Sequence, residues 1–149
     1  KYCTTYGPVY NYYAVATGKL CPKGWHVPTE AEWNDLMDYA GTAERSGDNP
    51  SKLKEKGTAH WKSPNVGATN EVFFNALPAG YLSLWGDLPE AGTKTLWWTS
   101  TEDSNSIDET TGKASNANII GLSYNFETKT MGTFQKESAL PVRCKLDDE

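Results

Sequence analysis

The sequence has no cluster of basic residues and no long apolar run. Lysine and arginine together number 14, against 19 aspartate and glutamate residues, which gives a net charge of −5 at pH 7. Because binding to duplex nucleic acid requires a positive surface, this balance argues against nucleic acid as a partner. It argues equally against an anionic membrane surface. No apolar stretch approaches the roughly 18 residues of a transmembrane helix, so we predict no direct membrane span.

Histidine is scarce as well, since His26 and His60 are the only two. His26 lies in a run typical of a buried segment, and an isolated histidine is more often a satisfied structural residue than a catalytic base. The adjacent carboxylates at 102–103 and 108–109 lie in a polar stretch and are expected to be solvated. We therefore predict that the protein is not an enzyme.

An initiating methionine and a signal peptide are both missing from a chain that begins at Lys1 within folded-looking sequence. We expect a trimmed N-terminus, and the lack of a signal peptide then carries no information about export. The simplest organisation of 149 residues is a single domain over 1–149. Six tryptophans and eight tyrosines provide large apolar areas for its core.

Only three cysteines occur, at positions 3, 21 and 144. A bridge between Cys21 and Cys144 would close a loop of 123 residues. Chain-entropy estimates for such a loop are about 4–5 kcal/mol. This disulfide would indicate an oxidising compartment and an exported protein, with Cys3 left to pair outside the chain. The alternative is three reduced, buried thiols.

The stretch 21–33 predicts how the fold is organised. Thr29 and Glu32 have the spacing of a capping box at a helix start. Apolar residues at 33, 36, 37 and 40 then predict an amphipathic helix that ends near Gly41. Trp25 and Val27 alternate with His26, which favours a short buried strand just before the helix.

The remaining elements are predicted from propensity and turn signals. Residues 9–15 favour a strand, and Asn49 followed by Pro50 predicts a second short helix that Gly57 ends. Residues 57–80 are typical of an ordered loop anchored by Phe73, Phe74 and Leu77. Further strands are predicted from 80 to 82, 96 to 101, 118 to 125, 131 to 134 and 139 to 144. Because of Pro141, the last is either an edge strand or a strand that starts at that residue.

Six motifs occur in order along nearly the whole chain. They are Tyr-Gly-x-x-Tyr-Asn at 6–11, Cys-Pro-Lys-Gly-Trp-His-Val-Pro-Thr-Glu-Ala-Glu-Trp at 21–33, Lys-Leu-Lys-Glu-x-Gly-Thr-x-His-Trp at 52–61, Ala-Thr-Asn-Glu with Ala-Leu-Pro-x-Gly-Tyr within 68–81, Trp-Trp-x-Ser-Thr-Glu at 97–102 and Val-Arg-Cys at 142–144. Together they resemble the Fibrobacter succinogenes major paralogous domain family.

This resemblance implies an α+β, C-type-lectin-like fold. Two early helices would pack on short antiparallel sheets, with long ordered loops and neighbouring chain ends. Members of this family are mostly exported or cell-surface proteins of Bacteroidetes-type bacteria. The family is also distantly similar to formylglycine-generating sulfatase-modifying enzymes, which use a pair of nearby late cysteines. Here only Cys144 lies late, so we do not expect that activity.

The late strands and loops hold the candidate ligand-binding residues. Alternation along a strand places Trp97 and Trp98 on opposite faces, which predicts one core ring and one outward ring. An outward aromatic beside amides and carboxylates suits recognition of glycan or protein. The candidates are Trp98, Glu102, Asp103, Asn105, Asn118, Tyr124 and Asn125, with Asn116 nearby.

We therefore predict a non-catalytic recognition or adhesion module of an exported bacterial cell-surface protein. The first alternative is a structural accessory domain of a surface lipoprotein or pilus, without a ligand of its own. For the late strands and loops, the alternative is that both tryptophans belong to the core and the polar residues are only solvated. A second is a ligand-binding protein diversified by a retroelement, since residues 102–125 are rich in Asn, Ser, Asp and Thr. No cofactor is predicted. The alternative to having no cofactor is a bound calcium ion, with oxygen ligands from Glu102, Asp103, Asn105 and Asp108.

Overall fold

A computed structural model of the protein describes residues 2–42 and 49–148. It is an α+β structure with few helices and small antiparallel sheets, as predicted. The α-helices are α1 (Tyr2–Tyr6), α2 (Tyr12–Ala16) and α3 (Glu30–Thr42), and 3₁₀ helices span Pro50–Leu53 and Ser104–Ser106. The strands are β1 (Trp25–His26), β2 (Lys94–Glu102), β3 (Asn116–Ser123), β4 (Thr130–Gln135) and β5 (Lys145–Leu146).

The larger sheet has three strands in the order β2-β3-β4, and all its pairings are antiparallel. A second sheet pairs β1 with β5, so early sequence lies beside late sequence. The predicted closing strand at 139–144 is wrong in extent. Ala139 and Leu140 form isolated bridges to Leu82 and Tyr10, and β5 begins only at Lys145. Pro141 interrupts the pairing because it has no N–H to donate.

The capping box of α3 is confirmed. The Glu32 backbone N–H donates to Thr29 Oγ1 at 3.2 Å, and the Thr29 backbone N–H donates to Glu32 Oε2 at 2.9 Å. These bonds satisfy amides at the helix start that have no partner within the helix. The helix ends at Thr42, one residue after the predicted stop at Gly41.

The sheet β2-β3-β4 is covered on both faces. Against α3, Trp33 stacks on Trp97 with ring centroids 4.9 Å apart. On the other face, Trp98 packs against Tyr12 of α2, and its Nε1 donates to the Tyr10 carbonyl at 2.7 Å. Both tryptophans are buried, Trp98 completely. The prediction of an outward ring at this pair is therefore wrong, because each face of the sheet has its own layer of core.

Two predicted strands are also corrected. Residues 12–16 form the helix α2, because the Asn11 side chain caps it by accepting from the Ala14 backbone N–H at 3.1 Å. The segment before α3 forms β1, but Trp25 is 44% exposed and only Val27 is buried.

The middle of the chain follows the prediction only in part. The second helix is a single 3₁₀ turn that stops at Leu53, because Lys54 is extended and bridges to Ala76. No helix or strand lies between Leu53 and Lys94. Phe73 is 88% exposed and anchors nothing, whereas Phe74 packs on the core beside Trp33.

The disulfide between Cys21 and Cys144 is present, with the two Cα atoms 5.9 Å apart. Cys3 is an exposed free thiol. The bond lies beside the β1–β5 pair and joins the segment before α3 to the end of the fold. None of the helices in the described residues is long and apolar enough to span a bilayer.

Glu32 is expected to make the free energy of unfolding depend on pH. Burial alone would raise the pKa of Glu32, but bonds from the Thr29 backbone, Lys145 and His26 outweigh it and lower the pKa to about 2. A carboxylate whose pKa is lowered on folding stabilises the fold above its unfolded value of 4.5. That contribution disappears as the pH falls through the folded pKa.

Urea unfolding between about pH 6 and pH 2 measures this effect. The wild type should lose more stability over this range than Glu32→Gln, whose curve should be flatter. Parallel curves would show that these three partners do not hold the carboxylate in its charged form.

Candidate functional site

Three of the predicted ligand-binding residues come together on the α3 side of the sheet. Asp103, Asn105 and Asn118 line a depression of about 320 Å³. Five residues that were not among the predicted ligand-binding residues complete it, namely Glu30, Ser104, Met131, Gly132 and Thr133. We call this group of eight residues the polar depression.

The elements of the fold place these side chains. Asn118 of β3 lies directly opposite Thr133 of β4, so both side chains share the face that carries α3. Glu30 begins α3, and its carboxylate accepts a hydrogen bond from the Asn118 amide. Asp103 follows β2 and accepts from the Asn105 backbone N–H at 2.9 Å. The site therefore presents carboxylates and amides that are held in place by hydrogen bonds within the site.

The other predicted residues lie elsewhere. Trp98 is in the interior, as described above. Glu102 forms an ion pair with Lys136 at 2.6 Å and does not line the polar depression. Tyr124 and Asn125 follow the opposite end of β3. Tyr124 packs on the core, and the Asn125 side chain accepts from Ser123 Oγ at 2.7 Å.

An exposed tryptophan was missed by the sequence analysis. Trp85 is 94% exposed and Leu84 is 54% exposed, although both belong to an ordered turn. The Ser83 backbone N–H donates to the Asp87 carbonyl at 3.0 Å, and the Gly86 N–H donates to the Ser83 carbonyl at 3.1 Å. The sequence feature that could have indicated this exposure is the Leu-Trp-Gly run at 84–86. It lies in a turn region, where an apolar pair has little chance of burial.

Trp85 borders a groove of about 310 Å³ on the other side of β4. Its floor includes Tyr81 and Phe134, whose ring centroids are 4.8 Å apart. Thr133 lines both this groove and the polar depression. We call the groove, the polar depression and β4 between them the β4 surface.

Strand β4 itself is an edge strand. Within the described residues it pairs with β3 alone, and most of its side chains are exposed. Aromatic faces provide contact area, while amides and carboxylates provide directed hydrogen bonds. The β4 surface thus combines both kinds of contact along one exposed strand.

Three of the four side chains proposed for calcium, Glu102, Asp103 and Asp108, already pair with a cation or accept hydrogen bonds. Asp108 Oδ1 accepts from the backbone N–H groups of Thr111 and Thr110 at 2.8 Å, which lowers its pKa. Asp103 caps a 3₁₀ turn and Glu102 pairs with Lys136. Over residues 2–42 and 49–148, no group of three or more His, Cys, Asp and Glu side chains is placed to hold a metal ion.

Comparison with known proteins gives one match. Residues 1–144 match the sequence family described as the Fibrobacter succinogenes major domain. No curated protein and no solved structure matches the chain at a significant level.

Proposed function

We propose, from the premise that this chain belongs to the Fibrobacter succinogenes major domain family, that it is a non-catalytic recognition or adhesion module. Its ligand is a glycan or a protein, bound at the β4 surface. The observation that carries this proposal is the 94% exposure of Trp85 on an ordered turn.

The exposure of Trp85 is costly unless a partner covers the ring. Burying a large apolar side chain contributes roughly 1.5–3 kcal/mol, and this tryptophan forgoes that gain in the free protein. Leu84 beside it is also exposed, so the two form a patch rather than an isolated side chain. Exposed apolar patches rimmed by polar groups are typical of binding sites.

The polar depression supports the choice of ligand. Sugar hydroxyls and peptide groups both donate and accept hydrogen bonds. Asn118 provides an amide, and Glu30 and Asp103 provide acceptors at neighbouring positions. A ligand lying across Thr133 would therefore meet directed bonds on one side and aromatic area on the other.

Export to the cell surface is part of the same proposal. The Cys21–Cys144 disulfide supports it, since such bonds persist mainly in oxidising compartments. We also propose that the fold is C-type-lectin-like, with early helices on small sheets. Because Cys144 is already bonded, it is not available for the chemistry of the formylglycine-generating enzymes.

Trp85→Ala is expected to abolish most ligand binding. Truncating a central aromatic residue at an interface costs about 2 kcal/mol or more, which is roughly a 30-fold loss of affinity. Glycan arrays and a panel of matrix proteins identify the ligand, and titration of the wild type and the variant then gives the two affinities.

Phe73→Ala is the matched control, because Phe73 is also almost fully exposed but does not line the groove beside Trp85 or the polar depression. It should bind like the wild type. Asn118→Ala should weaken binding, whereas Asn125→Ala should not, since Asn125 follows the opposite end of β3. Equal losses for Trp85→Ala and Phe73→Ala would contradict the β4 surface as the site.

A further inference from the structure

The outer edge of β4 carries backbone groups that point away from the sheet. In an antiparallel pair, residues opposite each other alternate between pairs that exchange backbone hydrogen bonds and pairs that do not. The Lys136 backbone N–H donates to the Ser115 carbonyl at 3.2 Å, and these two residues continue the β3–β4 register by one position. Counting back from this bonded pair, the alternation directs the backbone N–H and C=O groups of Met131 and Thr133 away from β3.

These outward groups are exposed and have no partner in the described part of the chain. Met131 and Thr133 are both exposed, and no described residue outside the sheet bonds to their backbone. Proteins commonly protect such an edge with a charged residue, a proline or a β-bulge. The six residues of β4 include no charged residue and no proline, and their pairing with β3 has no register shift. The edge is therefore open to pairing with another strand.

The two lysines that flank β4 do not protect its edge. Lys129 Nζ donates to Asn34 Oδ1 of α3 at 2.6 Å, and Lys136 Nζ pairs with Glu102 Oε1 at the end of β2 at 2.6 Å. Neither lysine lines the polar depression or the groove beside Trp85. Both charges are thus held by other elements of the fold.

The polar depression and the groove beside Trp85 follow each other along this edge. Residues 131–133 line the polar depression, and residues 133–135 line the groove. At about 3.3 Å per residue, the edge from 131 to 135 is roughly 13 Å long. An extended peptide paired with β4 would meet both depressions in turn. Its backbone would also match the strand spacing of the outward N–H and C=O groups, which a glycan does not repeat.

The charge of the polar depression favours a basic residue in such a peptide. Its charged members are Glu30 and Asp103, and no lysine, arginine or histidine among the described residues lines it. Within the same residues, neither carboxylate belongs to an ion pair. Each accepts one hydrogen bond, from the Asn118 amide and from the Asn105 backbone N–H. A carboxylate has roughly four acceptor positions, so both can also accept from a lysine or arginine.

We propose that the ligand of the β4 surface is an extended peptide segment that pairs with β4 as a fourth strand of the sheet. A lysine or arginine of the segment lies at the polar depression, and an apolar residue lies against Trp85 and Phe134. Backbone bonds to Met131 and Thr133 provide affinity, and the two depressions provide the sequence preference. This inference rests on the proposed function, because it chooses between the glycan and the protein named there.

An array of capped octapeptides, with lysine near one end and valine or tyrosine near the other in both orders, tests the inference on the full chain. The tightest peptide is then N-methylated at each backbone nitrogen in turn. Methylation at alternate positions should weaken binding about tenfold or more, because it removes a hydrogen bond to β4 and places a methyl group against the edge. Methylation at the intervening positions should have little effect. Losses without this period of two would overturn the inference.

Hydrogen exchange gives an independent readout on the protein. Peptide binding should slow exchange of the Met131 and Thr133 backbone amides, which have no partner in the free protein. Unchanged exchange at both amides would overturn the inference. Slow exchange without peptide that increases with protein concentration would show that a second copy of the chain covers the edge, and this result would overturn it as well.

The charge preference has its own variants. The double variant Glu30→Gln, Asp103→Asn should lose the severalfold preference for the lysine peptide over its glutamine analogue. Asp35→Asn is the matched control, because Asp35 is an exposed carboxylate of α3 that lines neither depression. It should keep the preference, and equal changes in both variants would contradict the role of the polar depression.

Failure of this inference is distinguishable from failure of the proposed function. A glycan that binds the wild type but not Trp85→Ala, with no peptide of the array bound at millimolar concentration, would overturn the inference and leave the proposed function standing. Peptide binding that Trp85→Ala leaves unchanged would contradict both, because the groove beside Trp85 is part of each.

Discussion

Removal of the Cys21–Cys144 disulfide is expected to lower the free energy of unfolding by about 4–5 kcal/mol. The bond closes a loop of 123 residues, and cross-linking so long a loop removes much conformational freedom from the unfolded chain. The folded state loses little by comparison, since β1 still pairs with β5 nearby. Urea unfolding of the Cys21→Ser, Cys144→Ser double variant measures the change.

Cys3→Ser provides the control for this experiment. Cys3 is an exposed free thiol, so its replacement should leave stability unchanged. A double variant as stable as Cys3→Ser would mean that the unfolded chain is already compact between residues 21 and 144. In that case the entropic account of the disulfide would not hold for this protein.

Gly121→Ala is the second substitution with a large expected effect, a loss of about 3 kcal/mol or more. Gly121 lies in β3 opposite Leu96 of β2. An added Cβ would overlap the Thr95 carbonyl oxygen and lie 2.6 Å from Leu96 Cδ2. The oxygen belongs to the backbone of a paired strand, so it cannot move aside without disturbing the sheet.

Gly132→Ala tests whether strand propensity or crowding causes the loss. Gly132 lies on the neighbouring edge strand, where an added Cβ would meet only Ile119 Cδ1 at 3.9 Å. Alanine should change stability there by no more than about 0.5 kcal/mol. Thermal unfolding of both variants provides the comparison, and equal losses at the two positions would contradict the steric explanation.

Local signals predicted the parts of the fold that depend on neighbouring residues. The start of α3 follows from Thr29 and Glu32, which satisfy each other's backbone groups without help from distant sequence. The strands β2, β3 and β4 follow from propensity and alternation. In contrast, residues 12–16 are apolar and aromatic enough for a strand, and only the Asn11 cap favours the helix.

The placement of the binding residues depends on tertiary packing, which the sequence does not specify. Alternation correctly placed Trp97 and Trp98 on opposite faces, but it cannot show that α2 covers the second face. Likewise, Asn118 and Asp103 are distant in the chain from Glu30, and the sheet register brings them together. The exposure of Trp85 depends on its turn projecting from the fold, which no periodicity in the sequence reveals.

The disulfide also determines how the protein would respond to mechanical tension. A pulling force applied ahead of Cys21 and behind Cys144 passes through the sulfur–sulfur bond, and the 123-residue loop carries none of the load. The segments outside this loop can peel away, namely α1 and α2 with the pairing of Tyr10 to Leu140 at one end, and β5 with its pairing to β1 at the other. Under tension the loop that contains the β4 surface would therefore stay closed while the ends of the chain extend.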